Sequence, residues 1–294
     1  GAVYDAEIER LSGAWFLVRG SGLPAVGRAG GARAAAIVSM LDMASVWRDF
    51  DAPLIAGADV AILDNAVLDG MRGDVPPDSW DAAECPASIL AEAGSVHGSP
   101  VRPAIVAAPD AVVDVRATSK IEGWPAIERD STLADAATFD RVGPLSLTDV
   151  ARLADRIETG TLTPAPVLAG AACVTSAPGN WGDPDDRASP CAYHFPLVYA
   201  PGDLEIAGGA GQGVLVVEGH LRVGGGARFV GAIVALGGIT AENATVFGAV
   251  RAATHVSIQA ATLRYSACAI GRAFTATTAF RRPFRRARWW LPAY

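Results

Sequence analysis

A short marker recurs in the last third of the chain and constrains it more than any other feature. It reads GDL, GHL, GGI and THV, beginning at Gly202, Gly219, Gly237 and Thr254, so the spacings are 17, 18 and 17 residues. A fixed period takes precedence over local motifs, because each repeat buries its apolar face only by stacking on the next. Written as successive passes, the region 197–266 reads LVYAPGDLEIAGGAGQG, VLVVEGHLRVGGGARFVG, AIVALGGITAENATVFG and AVRAATHVSIQAATLRYS. Short aliphatic alternations separated by small residues fit two or three strands per pass, with tight corners between them. The pattern predicts a parallel β-helix, or β-solenoid, that buries a column of Val, Leu and Ile. Far upstream, LIAGADVAILDNAVLDG at 54–70 ends much as ENATVFG does at 242–248, which predicts a further rung of the same solenoid.

The fold class expected is therefore mainly β. Residues 1–46 read as a short N-terminal antiparallel meander, with AVYDAEIERL and GAWFLVRGSG as strands and ARAAAIVSMLDMA as a third. The first rung occupies 47–70, a long loop-rich insertion 71–196, the solenoid rungs 197–270 and a basic aromatic tail 271–294. The insertion is dense in turn residues and carries one predicted helix near 147–159, in SLTDVARLADRIETG. Ser146 or Thr148 caps its start, Gly160 ends it, and Val150, Leu153, Ala154 and Ile157 form its apolar stripe.

Totals exclude several classes. The chain is 51% hydrophobic and 19% charged, the balance of a packed protein and not of a disordered one. Its net charge of −7 makes it a poor binder of nucleic acid. No apolar stretch reaches the length of a membrane span; the longest candidate, AAAIVSMLDMASVW, contains Asp42 and two serines. The chain begins at Gly1 and shows no signal peptide; a processed or truncated product, with an export signal or membrane anchor lost upstream, is one reading.

The glycines of GGAGQG (208–213) raise the question of a phosphate cradle. A dinucleotide fingerprint leads into a helix and a P-loop ends in Lys-Ser/Thr, whereas here a strand, VLVVEG, follows. Glycine at the corners of stacked passes is the expected reading. NWGDPDD (180–186) gathers Asn180, Asp183, Asp185 and Asp186 but lacks the fixed spacing of a calcium loop. The acids of the repeats, Asp203, Glu205, Glu218 and Glu242, and the upstream Asp59, Asp64 and Asp69, form no evident ladder of paired carboxylates. His220 and His255 share one marker position two passes apart, too far to share a metal; His97 and His194 stand elsewhere. No serine has a nucleophile-elbow context. No catalytic residue, cofactor or metal is expected.

Cys85, Cys173, Cys191 and Cys268 allow three pairings, and two disulfides are the expected state. Cys191 and His194 form C-x-x-H, but a second pair of zinc ligands is missing. The tail, AFRRPFRRARWWLPAY, interleaves Arg281, Arg282, Arg285, Arg286 and Arg288 with Phe280, Phe284, Trp289, Trp290 and Tyr294. That composition suits a membrane interface, a protein-binding hot spot or a final strand capping the solenoid.

RLSGAWFLVRGSG, NWGDPDDRASPCAYHFPLVYAPGDLEIAGGAGQGVLVVEGHLRVGG and YSACAIGRAF resemble the exported part of PilX-like type IV pilus-assembly proteins, most closely over 173–272, and the rungs are similar to bactofilin repeats. The resemblance implies a periplasmic or cell-surface location and pairs Cys173 with Cys191 and Cys85 with Cys268. The bactofilin analogy implies a right-handed coil. This sequence departs from the family in lacking the N-terminal membrane helix that polymerises in a pilus; the role expected of a body without that anchor is an extrinsic subunit on another membrane complex. The expected function is non-enzymatic: a structural or interaction subunit that docks on and stabilises a multi-subunit envelope assembly. That assembly is pilus-like, or a respiratory or photosynthetic membrane complex. Partners are expected to be protein subunits, with the tail on the membrane surface and no nucleic acid. A polysaccharide-active β-helix enzyme and a glycan-binding adhesin module are the alternatives.

Overall fold

The computed structural model of the chain describes residues 3–12, 15–23, 32–39, 43–71, 76–97, 99, 101–143, 145–281 and 284–291. The contacts divide it into two units, residues 1–42 with 280–294 and residues 43–279.

The smaller unit is an antiparallel sheet. β1 (Val3–Ser12), β2 (Trp15–Leu23) and β3 (Ala32–Ser39) form a meander. A final strand, Phe284–Leu291, pairs along the free edge of β3, with the Trp289 and Trp290 backbone opposite Ala35 and Ala34. Residues Phe284–Leu291 of the tail are thus a strand of this sheet. The side chains of Arg281, Arg282, Arg285, Arg286, Arg288, Trp289 and Trp290 lie outside the described residues.

The larger unit begins with α1 (Met43–Asp49), which takes the last residues expected in the meander. One pass follows as β4 (Leu54–Ala56), β5 (Val60–Leu63) and β6 (Val67–Asp69). After α2 (Ala87–His97) comes another pass, β7 (Ile105–Ala107), β8 (Val113–Val115) and β9 (Lys120–Glu122), and then β10 (Ile127–Arg129). A hairpin of β11 (Arg141–Val142) and β12 (Leu145–Ser146) leads into α3 (Leu147–Leu153). Then come β13 (Arg156–Ile157), β14 (Gly160–Leu162) and a second hairpin, β15 (Leu168–Ala169) with β16 (Ala172–Cys173). The repeat region supplies β17 (Leu197–Ala200), β18 (Leu204–Ile206), β19 (Ala210–Val217), β20 (Leu221–Val223), β21 (Arg228–Ala235) and β22 (Ile239–Glu242). It continues through β23 (Thr245–Ala252), β24 (Val256–Gln259) and β25 (Thr262–Arg264) to α4 (Ala267–Ala276). Among the described residues no helix is long and apolar enough to cross a membrane.

These strands form two large parallel sheets, and the chain alternates between them. One runs β10-β7-β4-β23-β21-β19-β17-β13, the other β14-β18-β20-β22-β24-β5-β8. β25, β6 and β9 pair in a third, shorter row attached through β23. Register makes columns. Leu204, Leu221, Ile239, Val256 and Val60 stand opposite one another in the second sheet, and Val198, Leu215, Ile233, Val250, Leu54 and Ile105 do so in the first. All of them are buried. Each such side chain contributes ~1.5–3 kcal/mol of transfer free energy, so the columns carry the stability of the stack.

β19, β21 and β23 bend midway, at Gly213, Gly231 and Gly248, which are paired in register. Their φ angles are +117°, +138° and +137°, where a Cβ is disfavoured. A Cβ on Gly248 would also collide with the carbonyl oxygen of Gly231. This column is why the repeat keeps glycine there.

The region 71–196 differs from a loop-rich insertion with one helix. It holds α2 as well as α3, and two of its segments join the stack. β7, β8 and β9 pair with β4, β5 and β6, while β13 and β14 pair with β17 and β18 at the opposite end. Neither segment carries the glycine marker, so the period does not reveal them. The helix expected near 147–159 ends at Leu153. Ser146 Oγ accepts from Asp149 N at its start, as capping chemistry dictates. Beyond the helix, Asp155 N donates to the Leu197 carbonyl and Leu197 N donates to the Asp155 carboxylate, which pulls 156–157 into the sheet. Of the predicted stripe only Val150 is buried, and Ile157 is exposed.

Cys85 bonds to Cys268, tying the turn before α2 to α4, and Cys173 bonds to Cys191. These are the pairs that the resemblance implies. Beside the first, Glu84 accepts from Arg187 (2.8 Å), Tyr193 (3.0 Å) and Arg272 (3.2 Å), and Arg187 stacks between Trp80 and Tyr193.

Candidate functional site

Three of the acids singled out in the repeats and the upstream rung serve the backbone. Asp203 accepts from His220 N, Asp59 from Val112 N and Asp69 from Met71 N. Glu205 accepts from the Thr161 hydroxyl, Glu218 from the Tyr199 hydroxyl and Asp64 from Gln259. In NWGDPDD, Asp183 accepts from Asp185 N and Asp186 N, Asn180 from Gly182 N, and Asp185 pairs with Arg228. Among the described residues no group of three or more His, Cys, Asp or Glu is placed to hold a metal. The His220 ring lies against the Gly237 carbonyl and the Thr240 hydroxyl. His194 stands beside a disulfide cysteine, and burial lowers its pKa.

Two features remain after these assignments. The first is the pair of end faces. Among the described residues, β13 and β14 lie at one end of the two sheets and β10 and β8 at the other, each paired along a single edge. An edge strand leaves N–H and C=O groups open to another chain. One end exposes Ile157 (65%) with Val167 and Leu168 nearby in sequence; the other exposes Val112 (63%), Val115, Trp124 (81%) and Ile127.

The second is a cavity of about 640 Å³ on the first sheet. Its floor is three residues in register on neighbouring strands: Arg251 of β23, Ile55 of β4 and Val106 of β7. Its walls are Arg48, Asp49 and Asp51 from α1 and the chain after it, and Asp130, Thr132, Leu133 and Thr138 from the segment after β10. Arg251 is only 1% exposed. It donates through Nη2 to the Thr138 carbonyl (2.9 Å) and through Nη1 to the Arg141 carbonyl (3.2 Å), with the Phe139 and Phe50 rings 5.1 and 5.8 Å away. Burial pushes the Asp51 carboxyl up to about 6, and Glu128 and Asp130 add to the effect while Arg102 opposes it. Burial also raises Asp49, against the pull of Arg251. Raised carboxylates in a cavity mark a candidate binding site.

None of these cavity residues was singled out in the sequence. A signal for one of them exists in the repeat. Val216 and Val234 occupy one register position in successive passes, and the next pass places Arg251 there. Comparison of the chain with protein-family models, with curated proteins and with solved structures returns no match.

Proposed function

We propose that the larger unit is a three-sided parallel β-solenoid acting as a rigid scaffold subunit of an extracytoplasmic assembly. The assembly is pilus-like, or a respiratory or photosynthetic membrane complex that takes the protein as an extrinsic subunit. The observation that carries this reading is the pair of open end faces. Each combines unpaired strand edges with exposed apolar side chains, the chemistry by which a sheet recruits another chain. Two disulfides support an oxidising compartment such as the periplasm or cell surface. The resemblance to PilX-like proteins points the same way. The arginines and tryptophans of the tail supply a second contact, to a partner or to anionic lipid.

The test is isolation from native membranes in mild detergent. The wild-type chain is expected to co-migrate with one defined complex. Trp124→Asp and Ile157→Asp are expected to migrate alone while keeping the wild-type circular dichroism. A wild-type chain that fractionates alone overturns the reading.

A further inference from the structure

The cavity over Arg251 adjoins the end face at β10, and its chemistry is that of a ligand site. We propose that it binds a hydroxylated monocarboxylate of the uronic acid class, with the ligand carboxylate on Arg251.

Arg251 has an incomplete ion pair. Arg251 is buried, yet its Nε has no acceptor among the described residues. Its nearest carboxylate oxygen, Asp49 Oδ2, stands 3.8 Å off, beyond hydrogen-bond reach, and already accepts from Gly143 N at 2.7 Å. A buried guanidinium without a bonded carboxylate is costly, and a planar carboxylate satisfies it in a geometry no point anion matches. The guanidinium is held by two backbone carbonyls and faces two aromatic rings, so it is pre-organised. Arg48, exposed on the cavity wall, adds a second cation.

The remaining lining sets the class of acid. Asp49, Asp51 and Asp130 all line the cavity, so a dianion such as phosphate meets about twice the repulsion that a single carboxylate does. The Thr132 hydroxyl spends its proton on Asp130 Oδ1 (2.9 Å), and the Thr138 hydroxyl spends its own on the Thr132 carbonyl (2.7 Å). Both oxygens are left as acceptors. A wall of carboxylates and spent hydroxyls calls for donors, which the hydroxyls of a sugar acid provide. Ile55, Val106 and Leu133 supply apolar surface for a ring face.

The charged groups around Asp51 give the site a pH dependence. Glu128 and Asp130 raise its pKa together with burial, and Arg102 is the opposing cation. Asp49, Arg48 and Arg251 share the cavity with it. Protonation of Asp51 removes a negative charge and adds a donor. A sugar carboxylate therefore binds more tightly as the pH falls, and a zwitterion, whose ammonium needs the carboxylates, binds less tightly.

The experiment uses the full chain with both disulfides intact, titrated calorimetrically with D-glucuronate, D-glucose and free glycine near pH 5 and near pH 7.5. Glucuronate is expected to bind at least about tenfold more tightly than glucose, the worth of one charge-assisted contact. Its affinity is expected to be several-fold higher at the lower pH, and glycine is expected to show no measurable heat at either. Arg251→Gln removes binding. Because Arg251 is buried, Asp51→Asn provides the independent check, with low-pH affinity for glucuronate at both pH values. Equal binding of glucose and glucuronate, no binding of glucuronate, a preference for glycine, or weaker binding near pH 5 each overturns the proposal.

Discussion

In the middle of the stack, β19, β21 and β23 each run eight residues, pair along both edges and bury seven of the eight. At the ends, β13, β14, β8 and β10 are two or three residues long, pair along one edge and leave most of their residues partly or fully exposed. The same column shows the change. Leu215, Ile233, Val250, Leu54 and Ile105 are buried in register, whereas Ile127 at one end is exposed and Arg156 stands at the other. A middle residue is constrained by a neighbour above, a neighbour below and the core between the sheets. An end residue answers to one neighbour, so its identity is free to serve a partner or the solvent.

Substitution at the glycine column is expected to cost the most stability. Gly248→Val places a side chain at φ +137° and against the Gly231 carbonyl, so loss of more than ~4 kcal/mol, seen as loss of the cooperative thermal transition, is expected. Gly160, in the end pass, has φ +74° but open space around it, and Gly160→Ala is expected to cost only ~1 kcal/mol of strain.

The disulfides come next. Cys85–Cys268 spans 183 residues and anchors α4, the helix that packs over β19, β21 and β23; Cys173–Cys191 spans 18. Loop-closure entropy predicts losses of ~5 and ~3 kcal/mol for the respective double serine variants, measurable by urea denaturation. Equal losses would show that loop length does not set what each disulfide contributes.

Leu215→Ala in the middle column is expected to cost ~2–5 kcal/mol, and Ile157→Ala at the end face no more than ~0.5 kcal/mol. Matching denaturation midpoints for the two would show that the end face is packed in solution.

One further effect depends on pH. Asp51 has a folded pKa raised from 3.8 to about 6, so the native state holds its proton more tightly than the unfolded chain. Its contribution is fully present below the unfolded value and is lost as pH rises through about 6. Asp51→Asn is therefore expected to gain up to ~2 kcal/mol on the wild type between pH 4 and 7, a figure kept below the full shift because solvent screens a group that is not completely enclosed. Stability measured across that range gives the slope and its sign.

Legibility followed the same division. The parallel strands of 197–264 can be read from the marker, the small corner residues and the aliphatic alternation, because each pass repeats the constraints of the last. The antiparallel meander is visible in its alternating segments. The passes at 105–122 and 156–162 lack the glycine marker and are interrupted by Asp, Arg and Glu, so nothing local distinguishes them from loops. The C-terminal helix was hidden in YSACAIGRAF, where Ser266 accepts from Ala269 N as the N-cap and Ala267, Ile270 and Phe274 supply the buried face. Arg251 is the one cavity residue the repeat could have exposed, as a charge in a valine column. Asp49, Asp51 and Asp130 carry no pattern of their own.

What the chain by itself determined is the unit: strands of three to eight residues, turned at glycines, with one apolar face and cysteines in a number that pairs. Which units became neighbours was decided in three dimensions. Arg251 sits beside Ile55, nearly two hundred residues away in sequence, and Ile55 beside Val106. Closing so long a loop costs little more than closing a short one, because the entropy grows only with the logarithm of length. The free energy of burying matched columns therefore chose the order of the stack. In doing so it placed a buried arginine, three aspartates and two threonines around one cavity.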